Sequence, residues 1–161
     1  MAKPRKPGPR RQLRAAVLAA VSIAPLGFGT AAAQGPILPK RALTPGAYNY
    51  TVKQSSISST ICKHGWTATV RPTTSYTTAL KIQQMQQYHE TGSPSDYEED
   101  HFIPLELGGA PKAAQNLWPE PHSQSKHSDP LETSLKRQVC SGTLTLKEGR
   151  VQIRDYKRAH G

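Results

Sequence analysis

Cysteine, aromatic residues and acidic residues are all scarce in this chain of 161 residues, and no apolar stretch in it is long. There are two Cys, ten aromatic residues (6%) and 11 Asp plus Glu against 21 Lys plus Arg. The longest apolar run, Ala15 to Phe28, is interrupted by Pro25 and falls short of the ~20 residues that a membrane-spanning helix needs. With a charged fraction of 20%, twelve Gly, fourteen Pro and a mean hydropathy of −0.60, the composition excludes a multi-span membrane protein, a coiled coil and a repeat array. Several catalytic signatures are missing as well. There is no Gly-x-Ser-x-Gly, no phosphate-binding P-loop and no Cys-x-x-Cys, and His89-Glu90 lacks the second His of a metalloprotease helix.

What is abundant is positive charge, a formal net of +10, which invites a nucleic-acid reading until the charge is located. Lys3, Arg5, Lys6, Arg10, Arg11 and Arg14 precede the apolar run, and Ala31-Ala32-Ala33 follows it ahead of Gln34. This is the pattern of a secretory leader over 1–33, with Arg10-Arg11 a faint hint of twin-arginine export. Six basic residues and no acidic ones lie in that segment, so the remainder carries 15 basic against 11 acidic residues, a net of +4. Export predicts a secreted or periplasmic protein with no membrane association once the leader is cleaved. Cys62 and Cys140 both remain after cleavage, and an even count in an exported domain predicts one disulfide. The competing reading, a Cys nucleophile with a His partner, finds no thiol-enzyme signature around either residue.

One domain is expected after the leader: a flexible lead-in over 34–47 and a folded domain over 48–161. Tyr48 to Val52, Thr60 to Cys62 and Trp66 to Val70 read as short strands. A helix capped by Thr74 or Ser75 runs to about Tyr88, with Ala79, Ile82 and Met85 at helical spacing. Tyr97 to Leu107 reads as extended, distorted by Pro104 and closed by Gly108-Gly109. Asp129-Pro130-Leu131-Glu132 spells a helix start, and Leu131, Leu135 and Val139 give that helix an apolar stripe. Thr145 to Glu148 is a capping box opening a last helix to about Arg158, weakened by Gly149. Trp66 and Trp118 read as core anchors. The fold class is α+β.

The chemistry concentrates in Glu98-Glu99-Asp100-His101-Phe102-Ile103-Pro104-Leu105-Glu106-Leu107-Gly108-Gly109 and Asn116-Leu117-Trp118-Pro119. Hydrolysis by an activated water requires that water to be deprotonated near neutral pH, and imidazole is the side chain best suited to it. Negative charge building up in such a reaction can be offset by a hard cation on carboxylate ligands. Neighbours in a regular strand point to opposite faces, so Asp100 and His101 can converge only at an irregular position, as would follow if the strand begins at Phe102.

These blocks resemble the HNH, or His-Me finger, endonucleases, and more closely a group of small secreted bacterial HNH-like proteins. Thr60-Ile61-Cys62, Thr69-Val70-Arg71-Pro72 and Val139-Cys140-Ser141-Gly142 echo that group too, so the resemblance spreads over about 45–161. It implies a ββα-metal motif with His101 as general base, Asn116 supporting the imidazole, and Asp100 as a metal ligand. The third position falls on Gln124 or Ser125, where the family has His or Asn. Gln124 is the candidate ligand, with His122 and His127 as substitutes. The expected Lys-Asp step is Ser128-Asp129 here, which removes one phosphate contact. Arg71, Lys112, Lys126 and Arg137 are candidate phosphate contacts if they gather on one face.

The expected cofactor is a divalent metal ion, Mg foremost with Mn, Ni or Zn as alternatives. The expected partner is nucleic acid, DNA before RNA, cut with little sequence specificity because nothing resembles a base-reading element. No protein partner is inferable. The rival expectation is a catalytically inactive scaffold of the same type that serves as an extracellular or periplasmic binding domain.

Overall fold

The computed structural model describes Met1, Ala2, Pro4, Gly8 and residues 36–161, so the leader reading for 1–33 lies almost wholly outside the described residues. The described part is α+β. In chain order it has a 3-10 turn at Gln54–Ser59, α1 (Trp66–Val70), α2 (Thr74–Tyr88), β1 (Tyr97–His101), β2 (Leu117–Pro121), α3 (His122–Cys140) and α4 (Leu146–His160). Strands β1 and β2 form a two-stranded antiparallel sheet in which Asp100 lies opposite Trp118 and His101 opposite Leu117.

The segment 36–47 is bound to this fold by specific contacts. The buried Thr44 hydroxyl shares a 2.7 Å hydrogen bond with Tyr88 Oη and donates to the Leu117 carbonyl at 3.2 Å, while Gly46 N donates to Gln115 O. The strand expected over Tyr48–Val52 reduces to a single bridge, Tyr48 opposite Gly109.

Thr60–Cys62 is a turn and Trp66–Val70 is helical, against the β-forming character of both stretches. Context overrides propensity there. Gly65, at φ 76°, turns the chain into α1, and Trp66 packs, as Cys62 does, against a buried apolar cluster that includes Ile61.

Helix α2 appears where its spacing placed it, burying Met85 and Tyr88 but leaving Ile82 exposed. Strand β1 ends at His101, and the chain bends at Phe102-Ile103, so the strand does not begin at Phe102.

The largest difference is α3, which starts at His122 rather than at Asp129 and carries Pro130 inside it. The proline is tolerated on the exposed face. Lys126, whose carbonyl loses its i+4 donor, is exposed as well, so water can serve it. Helix α4 begins as expected, with Thr145 Oγ1 accepting from Glu148 N and the Glu148 carboxylate accepting from Thr145 N.

Two apolar clusters hold the fold. Val52, Ile61, Leu107, Leu135, Val139, Leu146 and Ile153 pack where α3 meets α4, and Tyr88, Phe102, Ile103 and Trp118 pack beside the sheet. The disulfide joins Cys62 to Cys140, with Cα atoms 5.5 Å apart, and ties the α1 region to the end of α3 against the first cluster.

Candidate functional site

Strand β1 sends Tyr97, Glu99 and His101 to one side and Glu98 and Asp100 to the other. His101 is buried, and its Nε2 lies 3.0 Å from the Pro111 carbonyl oxygen. A carbonyl can only accept, so Nε2 carries the proton and Nδ1 keeps the lone pair. Burial pushes the imidazole below its ordinary pKa, against the pull of Asp100 and the Pro111 bond. His101 is therefore neutral at pH 7, the state a general base requires.

Asn116 does not touch that imidazole. Its Oδ1 accepts from Ile103 N at 3.0 Å and Ala47 N at 3.2 Å, and its Nδ2 donates to the carbonyls of Ile103 and Ala110. The fully buried amide thus knits the β1–β2 connection together. It acts on His101 at one remove, because Ala110 adjoins the Pro111 that holds the ring.

Asp100 and His101 are consecutive in β1, yet at its last two positions both reach one cleft of about 370 Å³. Glu98, Glu106, Asp129 and Glu132 also face this cleft. Arg71 lines it too, and also lines a second cleft of about 330 Å³ between β1 and α2, where His101, Lys81 and His122 are found. Of the candidate phosphate contacts, Arg71 alone reaches either cleft. Lys112 is exposed in the loop just after Pro111, and Lys126 is exposed on α3.

Gln124 sits on the first turn of α3, but its amide is committed to other partners. Oε1 accepts from Ile37 N at 2.9 Å, and Nε2 donates to the carbonyls of Ile37 and His160. It fastens the N-terminal segment and the end of α4 instead of joining Asp100. His122 reaches a cleft, and His127 lies exposed on α3.

The residues that sequence reasoning missed stand behind Asp100. Lys157 of α4 is fully buried, and its Nζ donates to Asp100 Oδ2 and to the His101 carbonyl at 3.1 Å. The same Nζ lies 2.7 Å from Glu132 Oε1 and 3.8 Å from Glu120 Oε2. Burial alone would lower the Lys157 pKa, but Asp100, Glu132 and Glu120 hold it above its usual value, so the ammonium stays charged. Burial would raise Asp100, yet Lys157 keeps it below the ordinary carboxylate range. Glu120 is raised by burial first and then by the neighbouring Asp100 charge, and Glu132 is raised by burial against the pull of Lys157, with Asp100 adding to the rise.

Glu99, on the other face, has both oxygens buried without a hydrogen-bond partner and is pushed up to about 8 by burial and Asp100. The sequence did carry a signal for Lys157. It follows Leu146, Gly149 and Ile153 in the buried stripe of α4, and a lysine in phase with such a stripe needs a carboxylate partner.

Among the described residues no three His, Cys, Asp or Glu side chains are arranged to hold a metal ion. Family models, curated proteins and solved structures give no match to this chain.

Proposed function

We propose that this protein is an exported nuclease that hydrolyses phosphodiester bonds of DNA, with RNA as a second substrate, on a site of His-Me finger type. The observation that carries this reading is His101: a neutral imidazole, fixed through Nε2, with Nδ1 basic, beside Asp100 and at the meeting of two clefts that share Arg71. The order β1, β2, α3 is compatible with a ββα-metal motif, and the disulfide suits the oxidising compartment that a leader implies.

In the proposed reaction His101 Nδ1 takes a proton from the attacking water, and the ring orientation comes from Pro111, whose loop Asn116 fastens. Arg71 contacts the phosphate flanking the scissile bond. Of the expected metal ligands Asp100 fits and Gln124 does not, because its amide is spent on Ile37 and His160. A divalent ion would be held by Asp100 with Glu98 or Asp129 of the same cleft. Its contribution would be to offset charge on the phosphoryl oxygens and the leaving group.

The experiment is incubation of residues 34–161 with plasmid DNA, linear DNA and RNA in Mg, Mn, Ca, Ni or Zn ions and in EDTA, beside the His101→Ala variant. Cleavage by the wild type and its loss in the variant are expected. Intact substrates under every condition, or equal cleavage by the variant, would overturn the assignment. Intact substrates together with a retained fold would favour the second reading, an inactive scaffold, for which the Lys157 contact on Asp100 and the engagement of Gln124 are the supporting observations.

A further inference from the structure

We propose that the Lys157 ammonium is a built-in cation: it fills an oxygen nest formed by Asp100, Glu120, Glu132 and the His101 carbonyl that would otherwise draw a hard divalent ion from solution. The proposal stands whether or not the chain cleaves nucleic acid.

Three carboxylates and a backbone carbonyl turned on one point are the donor set of a hard-cation site. Here that point is Nζ, which makes hydrogen-bond or ion-pair contact with Asp100 Oδ2, Glu132 Oε1 and the His101 carbonyl and stands 3.8 Å from Glu120 Oε2. Glu120 is itself fully buried, and its Oε2 accepts no hydrogen bond. It is an unpartnered oxygen turned toward the cation.

The ammonium cannot exchange with solvent because its side chain is wholly enclosed. It is carried on the last turns of α4, whose end is tied down by the Gln124 bond to the His160 carbonyl. Chain folding therefore delivers this cation to the nest. Glu120 is sealed from water and Asp100 and Glu132 are only slightly exposed, so charge on this cluster of carboxyl groups needs a compensating cation.

The test is thermal unfolding of the wild type, Lys157→Ala and Lys157→Ala/Glu120→Gln, each in EDTA and in millimolar Ca or Mn ions, with NaCl at matched ionic strength as control. Lys157→Ala should melt lower than the wild type in EDTA. It should then regain at least about 3 °C in either divalent ion, saturably, while NaCl does nothing. Any shift of the wild type, from an ion held on the cleft side of Asp100, should be smaller than that of Lys157→Ala by at least about 2 °C. The double variant should need about tenfold more ion, since Gln offers the ion a neutral oxygen in place of a carboxyl group that can give up its proton to it.

If Lys157→Ala is unfolded in EDTA, folding driven by divalent ions and followed by circular dichroism is the same positive result. A folded Lys157→Ala that ignores divalent ions, or an unfolded one that none of them restores, overturns the proposal. So does a double variant that responds like the single one.

Discussion

Within the candidate site, the imidazole of His101 is set by two opposing influences, burial that lowers its pKa and the Asp100 charge that raises it, with burial prevailing. The acid limb of the pH–rate profile of any cleavage should therefore have its midpoint below pH 6.5, where Nδ1 takes up a proton. A midpoint above pH 6.5 would contradict the neutral, buried imidazole. The same shift bears on stability. A folded-state pKa below the unfolded one adds stability above pH 6.5 that is lost as the pH drops through the folded value.

Asn116 offers a separate residue-scale test. Four hydrogen bonds converge on its buried amide, so Asn116→Ala strands backbone groups of Ile103, Ala110 and Ala47 and should cost about 3 kcal/mol in urea unfolding. The sequence marked Asn116 by its place in a resemblance, but not its partners. Those belong to a loop whose path depends on the Gly109 backbone lying against Ile103, where any Cβ would collide with the Ile103 carbonyl.

Between elements, the contact of α3 with α4 depends on Gly149, which looked in the sequence like a weak point of its helix. A Cβ there would lie 2.9 Å from Val139 Cγ2 and 3.4 Å from Leu107 Cδ2. Gly149→Ala gains up to about 1 kcal/mol in helix propensity but overpacks the cluster, at a cost of about 1–3 kcal/mol. The net effect should be destabilisation, read as a lower urea midpoint.

In β1, Glu99→Gln should act in the opposite direction. The fold holds this carboxyl near 8, so stability declines as pH rises from about 4.5 toward 8, while the unfolded chain ionises and the folded one cannot. The amide removes that penalty and should raise stability at pH 8 by about 1–2 kcal/mol, with little change at pH 4. Elements with local signals, α2 and the capped α4, were legible. The start of α3 was not, because Asp129-Pro130 imitates a helix N-terminus while the real one follows Pro121 with no side-chain cap.

For the molecule as a whole, the α+β class followed from the order of local strand and helix signals and the disulfide from the cysteine count, whereas the acid–lysine cluster depended on contacts across the whole domain. Lys157 and Asp100 are 57 residues apart, and no local pattern pairs them. The Cys62–Cys140 link spans 78 residues and joins the segment before α1 to the end of α3, so it restrains the unfolded chain across most of the domain. On the chain-entropy account a loop of that length is worth about 4 kcal/mol. A small domain has only about 5–15 kcal/mol in total, so reduction should remove a large part of its stability. The expected result is a markedly lower urea midpoint in dithiothreitol, reproduced by Cys62→Ser/Cys140→Ser without reductant. An unchanged midpoint would mean that the two core clusters alone hold the domain. Because the site draws residues from β1, α3 and α4, loosening the end of α3 should also loosen Glu132 from Lys157. Reduced protein, assayed in the divalent ion that supports cleavage, should then lose activity at a urea concentration below its own unfolding midpoint, whereas the oxidised protein should lose activity and fold together.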